Sequence, residues 1–270
     1  MNAKHFLSIF STVFLAAFSI LSCNKSESDN HELPVSGLPS IFTYNNGSED
    51  TYSYTNGNRL SKITYGKSGT TQLSYDGSNL VKCSFSYSPE VSGMDYIEFS
   101  KLDDSSILAK IHFPEYGIVT SPDTIQIRPN GYPNVIRCGK NAAAEFYTEY
   151  RFSLDETGTR IAEMLSTNVY NTYSVLGGKH VYEYDTNPGI TSLIDCPKWF
   201  STYFCIRFDR GMTDRQLLNC VDNITKETVY NDFDPNPIAI FSNDYTYGNN
   251  KFPVSMIDGR TQEKISIKYP

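Results

Sequence analysis

The chain lacks the short motifs that mark most enzyme active sites. Its 270 residues include four histidines and one tryptophan. It contains no HExxH or other paired-histidine spacing, no GxSxG elbow, no phosphate-binding loop and no GxGxxG stretch leading into a helix. Metal-dependent hydrolysis, acyl transfer and nucleotide chemistry therefore lack their usual sequence signals, and we expect neither a metal ion nor a cofactor. His112 and His180 lie on strand-like runs, where we expect them to face solvent.

Charge is also scarce, and positive charge is never concentrated. Charged residues make up 20% of the chain, the formal net charge is −7, and no basic block occurs. A mildly acidic chain of this kind is not expected to bind nucleic acid. The adjacent acids Glu49-Asp50 and Asp103-Asp104 point to opposite faces of a strand, which favours solvated turn residues over a catalytic pair. A carboxylate pair built from distant residues, as glycoside hydrolases use, remains an alternative.

The cysteines have neither the number nor the spacing of a metal or redox site. Five cysteines follow Cys23, so they cannot all pair within the chain, and no CxxC motif is present. Cys83 and Cys138 lie in strand-like runs, where we expect small buried thiols. Cys196 could form a disulfide with Cys205 or Cys220 in an oxidising compartment.

Long apolar runs are absent except at the N-terminus. Lys4 precedes the apolar run Phe6–Leu21, which is typical of a secretory signal peptide over residues 1–22. Ile20-Leu21-Ser22 directly before Cys23 resembles a bacterial lipobox. The resemblance implies that Cys23 is lipidated and that everything upstream of it is removed. Several acyl chains on one residue would anchor the protein stably in a membrane.

Residues 23–37 are predicted to form a disordered tether. The stretch after Cys23 is polar and acidic, with no apolar residue to pack until Leu33. It resembles the surface-export tether of Bacteroidota lipoproteins. We therefore expect a lipid-anchored protein of the outer membrane, exposed on the cell surface, with the periplasmic face as the alternative.

Tyrosine and phenylalanine are abundant, with 20 and 16 residues, and they mark a repeated turn pattern. Within Tyr54–Phe85 an aromatic strand end, an Asn-Gly or Asp-Gly turn and an alternating apolar run occur twice. This combination is the strongest short-range signal for a β-hairpin. The pattern continues to the C-terminus and is clearest over Phe146–Leu154. About a dozen consecutive antiparallel strands would curl, split into layers or close into a barrel.

One segment interrupts the alternation, between Asp195 and Val221. Asp195 is predicted to cap a helix that begins at Pro197, and Thr213–Gln216 has the form of a capping box before a second short helix. We therefore expect one or two short helices near residues 196–221. The first helix would place aromatic side chains on one side, namely Phe200, Tyr203, Phe204 and Phe208.

The same segment holds the candidate ligand-binding residues Trp199, Phe200 and Tyr203. Flat aromatic side chains can stack on sugar rings and are favoured at protein interfaces. The alternative is that these rings fill the core beneath the inserted segment.

The repeated aromatic turns resemble those of a known family. The Tyr-Asp-Gly units at 54–85 and the strings Tyr182–Pro188 and Tyr245–Asn250 are similar to a group of Bacteroidota lipoproteins. These proteins carry a domain of unknown function described as having a porin-like β-barrel fold. The resemblance covers most of residues 40–270. It implies one all-β domain over residues 38–270, an antiparallel sheet of consecutive hairpins curled into a barrel or half-barrel, and no catalytic residues.

These observations predict a non-enzymatic protein that binds a ligand or supports an envelope assembly. Its expected partners are the membrane, through the lipid anchor, and a glycan or an outer-membrane protein. A membrane-spanning pore is disfavoured because spanning strands need roughly 9–11 residues and most apolar runs here are shorter. A carbohydrate-active hydrolase with dispersed carboxylates and a carrier of an apolar molecule inside the barrel are the alternatives.

Overall fold

The fold was obtained as a computed structural model that describes residues 37–87, 94–113, 117–118, 122–139, 146–208, 221–231 and 235–270. These residues form strands and one helix, as the sequence predicts. In chain order the elements are β1 Ile41–Tyr44, β2 Glu49–Thr55, β3 Arg59–Tyr65, β4 Gly69–Asp76, β5 Asn79–Tyr87, β6 Tyr96–Asp103, β7 Ser106–Phe113, β8 Gly117–Ile118, β9 Asp123–Ile127, β10 Pro133–Gly139, β11 Phe146–Leu154, β12 Ile161–Tyr170, β13 Ser174–Pro188, α1 Lys198–Phe208, β14 Asp222–Tyr230, β15 Ala239–Ser242, β16 Asp244–Tyr247, β17 Pro253–Ile257 and β18 Lys264–Lys268.

The strands make a single antiparallel sheet that nearly closes on itself. Strand β1 pairs with both β2 and β18, which joins the two ends of the domain. Strand β9 pairs with β7 and with β10, so the two-residue strand β8 lies beside the ring at the end of β7. Elsewhere consecutive strands pair with each other. The exception is the junction between β15 and β16, where β15 pairs with β14 and β16 pairs with β17. The prediction of an antiparallel barrel of consecutive hairpins is confirmed.

The seam of the barrel lies at Asn243, the one residue between β15 and β16. Its backbone N–H donates to the Thr225 carbonyl over 2.8 Å, and its side-chain amide donates to the Ile224 carbonyl over 2.8 Å. The Gly259 N–H donates to the Asn243 side chain over 3.0 Å. A Cβ atom at Gly259 would meet the Ser242 carbonyl oxygen at 2.3 Å, so only glycine permits this approach.

The repeated sequence unit is also a repeated structural unit. In the β2–β3 hairpin the register shifts between Ser53 and Tyr54, and in the β4–β5 hairpin it shifts between Ser74 and Tyr75. The turns between these strands need a left-handed backbone, with φ of 84° at Gly57 and 59° at Gly77. Asn-Gly and Asp-Gly satisfy that requirement, which explains why both copies carry them.

The recurring tyrosines fix the register of the hairpins. The Tyr54 hydroxyl donates to the Pro39 carbonyl over 2.6 Å, and the Tyr75 hydroxyl donates to the Leu60 carbonyl over 3.0 Å. In each case the tyrosine near the end of one strand reaches the start of the preceding one. The same bond is made from Tyr184 to Ile161 and from Tyr269 to Pro253, and the Tyr245 hydroxyl donates to Ile224 near the start of β14. A buried hydroxyl without such a partner would be costly, so these bonds favour one register.

The alternation of most strands places apolar side chains inside the barrel and polar side chains outside it, with exposed apolar exceptions that include Val175, Ile240 and Val254. Along β18, Ile265 and Ile267 are buried, whereas the lysines and the serine between and beside them are exposed. The inward side chains of the other strands join one hydrophobic core. Helix α1 belongs to the same core and lies closest to β9 and β10.

Helix α1 enters at the end of the barrel where β2 turns into β3. The backbone of Asp195 bonds to both sides of that turn, donating to the Asn58 carbonyl over 2.9 Å and accepting from the Leu60 N–H over 3.1 Å. The predicted helix is confirmed, but the predicted cap is wrong, because the Asp195 carboxylate accepts from Arg59 Nε over 3.0 Å instead. The predicted second helix at 213–218 lies outside the described residues.

No helix in the described part of the chain is both long and apolar enough to span a membrane.

A polar cluster interrupts the apolar interior between β13 and β14. Glu227 lies opposite Tyr182 in the sheet register, so it points inward. Its carboxylate contacts His180 Nδ1 at 2.7 Å and accepts from Arg260 Nε over 2.9 Å. The expectation that His180 faces solvent is therefore wrong, because its side chain lies on the inner face with Tyr182. Burial by itself would raise the pKa of Glu227, but the hydrogen bonds and charges of His180 and Arg260 lower it to about 2.

The lowered pKa of Glu227 makes stability depend on pH in a defined direction. The carboxylate contributes stability above its ordinary pKa and loses that contribution as the pH falls towards about 2. We expect Glu227→Gln to lower the free energy of unfolding by roughly 2–3 kcal/mol at pH 7, measured by urea denaturation. The difference from the wild type should shrink as the pH is lowered from 5 to about 2.

Glu183→Gln is the matched control for this prediction. Glu183 lies on the neighbouring strand β13 but points outward, where its exposed carboxylate pairs with Lys226 at 2.7 Å. An exposed pair of this kind contributes about 0–1 kcal/mol, so the control should change stability little at any pH. A Glu227→Gln protein as stable as the wild type at pH 7 would contradict the assignment.

Candidate functional site

The predicted site residues Phe200 and Tyr203 lie in the core. They are 2% and 0% exposed, respectively. Phe99 of β6 lies at the centre of this aromatic cluster, with its ring centroid 5.7 Å from that of Phe200 and 6.0 Å from that of Tyr203. Both contacts are edge-to-face, the arrangement that buried aromatic pairs prefer. These two rings therefore stabilise the fold and present no surface to a ligand.

Tyr203 has a second role, because it anchors the helix to the barrel wall through Asp123. The Tyr203 hydroxyl donates to the Asp123 carboxylate over 2.8 Å, and the Gly139 N–H donates to its other oxygen over 3.0 Å. Arg207 Nε lies 3.3 Å from the same carboxylate. Asp123 is fully buried, and burial raises its pKa even though Arg207 and the hydrogen bonds oppose the shift. The carboxylate is thus committed to holding α1 in place.

Trp199, the third predicted residue, lines a crevice in the barrel wall. Strands β5 and β6 pair at Lys82–Ser84 with Tyr96–Glu98. Towards the end where α1 enters, Asn79–Val81 and Phe99–Lys101 are not paired with each other, so the two strands separate there. A crevice of about 510 Å³ occupies the gap. Trp199 is 7% exposed and forms part of its base.

The crevice has an apolar base and a polar rim. Its apolar lining comes mainly from β5, β6, the next two strands of the ring and α1, and includes Leu80, Val81, Phe99, Ile107, Ile127 and Trp199. Its polar lining includes two lysines, two aspartates and short hydroxyl and amide side chains, namely Lys101, Lys198, Asp76, Asp195, Ser78, Asn79 and Ser100. Such a combination of an apolar surface with a few polar groups is typical of small-molecule sites.

Arg59 holds one side of the rim together. Its guanidinium donates to the Asp195 carboxylate over 3.0 Å and to the Gly77 carbonyl over 2.6 Å. It also lies 5.0 Å from the ring centroid of Tyr75, a cation–π arrangement. Burial, with Cys196 and Asp195 nearby, raises the pKa of the Tyr75 phenol, so this group stays protonated. The rim is therefore fixed by contacts between β3, β4 and the segment that leads into α1.

The sequence alone did not identify most of the crevice. Of the three predicted residues the structure brings Trp199 to the crevice, and its role in binding stays a prediction. Lys101 and Asp76 were missed because they precede Trp199 by 98 and 123 positions in the chain. Asp76 was recognised only as half of an Asp-Gly turn. No local signal marked either residue as part of a site.

The four cysteines that the structure describes are all buried. Cys83 and Cys138 are the buried thiols that the sequence predicts, and no disulfide joins Cys196 to Cys205. Cys220 lies outside the described residues. Within the described ranges no group of three or more histidine, cysteine, aspartate or glutamate side chains could hold a metal ion.

Comparisons with known proteins identify the fold but not an activity. No protein-family profile and no curated protein matches this sequence. The crystal structure of a porin-like protein from Bacteroides vulgatus is similar, with a TM-score of 0.51 and 12% sequence identity over 87% of this chain and 99% of that chain. A porin-like protein from Bacteroides uniformis gives a TM-score of 0.38 and 12% identity over 88% of this chain and 99% of that one. The chain therefore has a porin-like β-barrel fold.

Proposed function

We propose that the protein is a lipid-tethered, non-enzymatic ligand-binding barrel, and that its ligand occupies the crevice between β5 and β6. The observation that carries this proposal is the crevice itself. It combines a volume of about 510 Å³ with an apolar base and charged groups at its rim. Ligand sites of small molecules fall within roughly 300–1,000 Å³.

The polarity of the barrel supports a protein that faces water rather than lipid. In a membrane-spanning barrel the outward side chains are apolar. Here the outward positions of β4 and β7 include Gln72, Ser74 and Lys110, all exposed, while their inward neighbours are buried. This pattern favours a barrel outside the hydrocarbon layer, attached by its lipidated N-terminus.

The packed interior supports binding at the wall rather than transport through the lumen. Tyr203 and Phe204 of α1 are 0% and 1% exposed, and the rings of Phe85 and Phe204 stack with centroids 6.5 Å apart. These side chains occupy space that an apolar cargo or a channel would need. The carrier and pore alternatives therefore receive no support from the described part of the barrel.

The rim carboxylates favour binding over hydrolysis. Glycoside hydrolysis requires two carboxyl groups that work on opposite sides of one bond. The Asp195 carboxylate forms an ion pair with Arg59 at 3.0 Å, so this carboxylate has a structural role. Asp76 is exposed at the edge of the crevice. This arrangement is explained most simply by a ligand that is bound and released unchanged.

The tethered, surface-exposed location is tested with intact cells and with a truncated protein. We expect external protease to degrade the protein on intact cells, and we expect a Cys23→Ala form without residues 1–22 to stay in the aqueous fraction without detergent. A periplasmic protein serves as the protection control. Full protection of the chain would place it on the periplasmic face, and folding only in detergent would contradict the water-facing barrel.

Binding at the crevice can be observed directly, because Trp199 is the only tryptophan of the chain. We expect a saccharide panel to contain ligands that change the Trp199 fluorescence saturably. Ser100→Phe, which places a ring at the rim, should weaken that binding by about tenfold or more, since a good contact of roughly 1.4 kcal/mol is lost. Ser74→Phe is the matched control, because Ser74 is also exposed, on β4, but does not line the crevice.

The outcomes of the fluorescence experiment separate the competing functions. Binding on a glycan array with unchanged Trp199 emission, or with full affinity in Ser100→Phe, would contradict the crevice as the site. Hydrolysis of a bound saccharide would contradict the non-enzymatic role.

A further inference from the structure

We infer that the crevice selects an acidic saccharide, one that carries a carboxylate on its ring. This inference rests on the proposed ligand-binding function and adds the chemical class of the ligand. It follows from the balance of charges at the rim and from the neutral groups beside them.

Two lysines at the rim have no carboxylate partner among the described residues. Lys101, near the end of β6, is exposed, and none of the observed ion pairs involves it. Lys198, at the first turn of α1, lies with its ammonium 4.4 Å from the ring centroid of Tyr132. That contact attracts the cation without neutralising it. In a chain with a net charge of −7, two cations facing one crevice form a local positive region.

The negative groups of the rim offset this charge only in part. The carboxylate of Asp195 accepts from Arg59 over 3.0 Å, and this pair contributes no net charge to the crevice. Asp76, the other carboxylate, is exposed at the edge. Two lysines therefore face one unneutralised aspartate, and an anionic ligand is favoured over a cationic one.

The neutral lining fits a saccharide better than a simple anion. Ser78, Asn79 and Ser100 offer hydroxyl and amide groups that can bond to sugar hydroxyls. Leu80 and Trp199 provide apolar surface for the CH groups of a ring. A volume of about 510 Å³ is large for a single inorganic ion and suits a ligand with a body as well as a charge. A ring that bears a carboxylate uses both parts of the site.

The test compares two sugars that differ only in the carboxylate. Methyl β-glucuronide and methyl β-glucoside are titrated into the mature full-length protein, with Trp199 emission as the readout. We expect the glucuronide to bind about tenfold more tightly, because a charge-assisted hydrogen bond contributes more than a neutral one. The preference should fall as salt is added, since rim charges are screened.

Charge variants identify the residues that cause the preference for the glucuronide. We expect Lys101→Gln and Lys198→Gln each to weaken glucuronide binding severalfold while leaving glucoside binding unchanged, and Asp76→Asn to strengthen glucuronide binding. Lys110→Gln is the control, because Lys110 is exposed on β7 away from the crevice. If Lys198→Gln fails to fold, Lys101→Gln decides the matter, since Lys101 is exposed and its loss leaves no buried group unpaired.

The outcomes distinguish this inference from the function on which it rests. Equal affinity for both sugars, unaffected by the lysine variants, would overturn the acidic class and leave the crevice as a general saccharide site. Absence of any saturable response to either sugar would overturn the inference outright. In that case the Ser100→Phe comparison on a glycan array decides the proposed function independently.

Discussion

The buried carboxylate of Asp123 is the contact on which the interior of the barrel depends. It binds the Tyr203 hydroxyl at 2.8 Å, the Gly139 N–H at 3.0 Å and Arg207 at 3.3 Å, and so joins α1 to β9 and β10. Removing one partner from a buried pair costs about 3–5 kcal/mol, because the remaining charge has no water to compensate it. This cost keeps the helix inside the barrel, and the helix fills the space that would otherwise be a lumen.

The position of α1 also explains why a crevice exists in an otherwise continuous wall. The segment before the helix docks on the β2–β3 turn through Asp195 and then delivers Trp199 against Phe99, with ring centroids 5.2 Å apart. These bulky groups lie where β5 and β6 have separated. The apolar base of the crevice is therefore made by the inserted segment, while the strands supply its rim.

Local features of the fold could be predicted because they are encoded locally. The Asn-Gly and Asp-Gly turns need left-handed backbone, and the aromatic strand ends bond back to the preceding strand, as Tyr54 does to Pro39. The helix at Lys198–Phe208 was recognised from the loss of alternation. The candidate site was harder to predict from the sequence, because the alternation of apolar and polar residues does not show that β5 separates from β6. Likewise, the inward position of His180 depends on a partner, Glu227, that lies 47 residues away in the chain.

Helix α1 is a fixed part of the barrel core, held by Asp123. Hydrogen–deuterium exchange of the protein tests this most directly, because amide exchange reports local opening. We expect the amides of α1 to exchange as slowly as those of β10, and we expect Asp123→Asn to accelerate exchange in α1 while the β2–β3 hairpin stays protected. Rapid exchange of α1 in the wild-type protein, comparable to the exposed hairpin turns, would contradict this expectation.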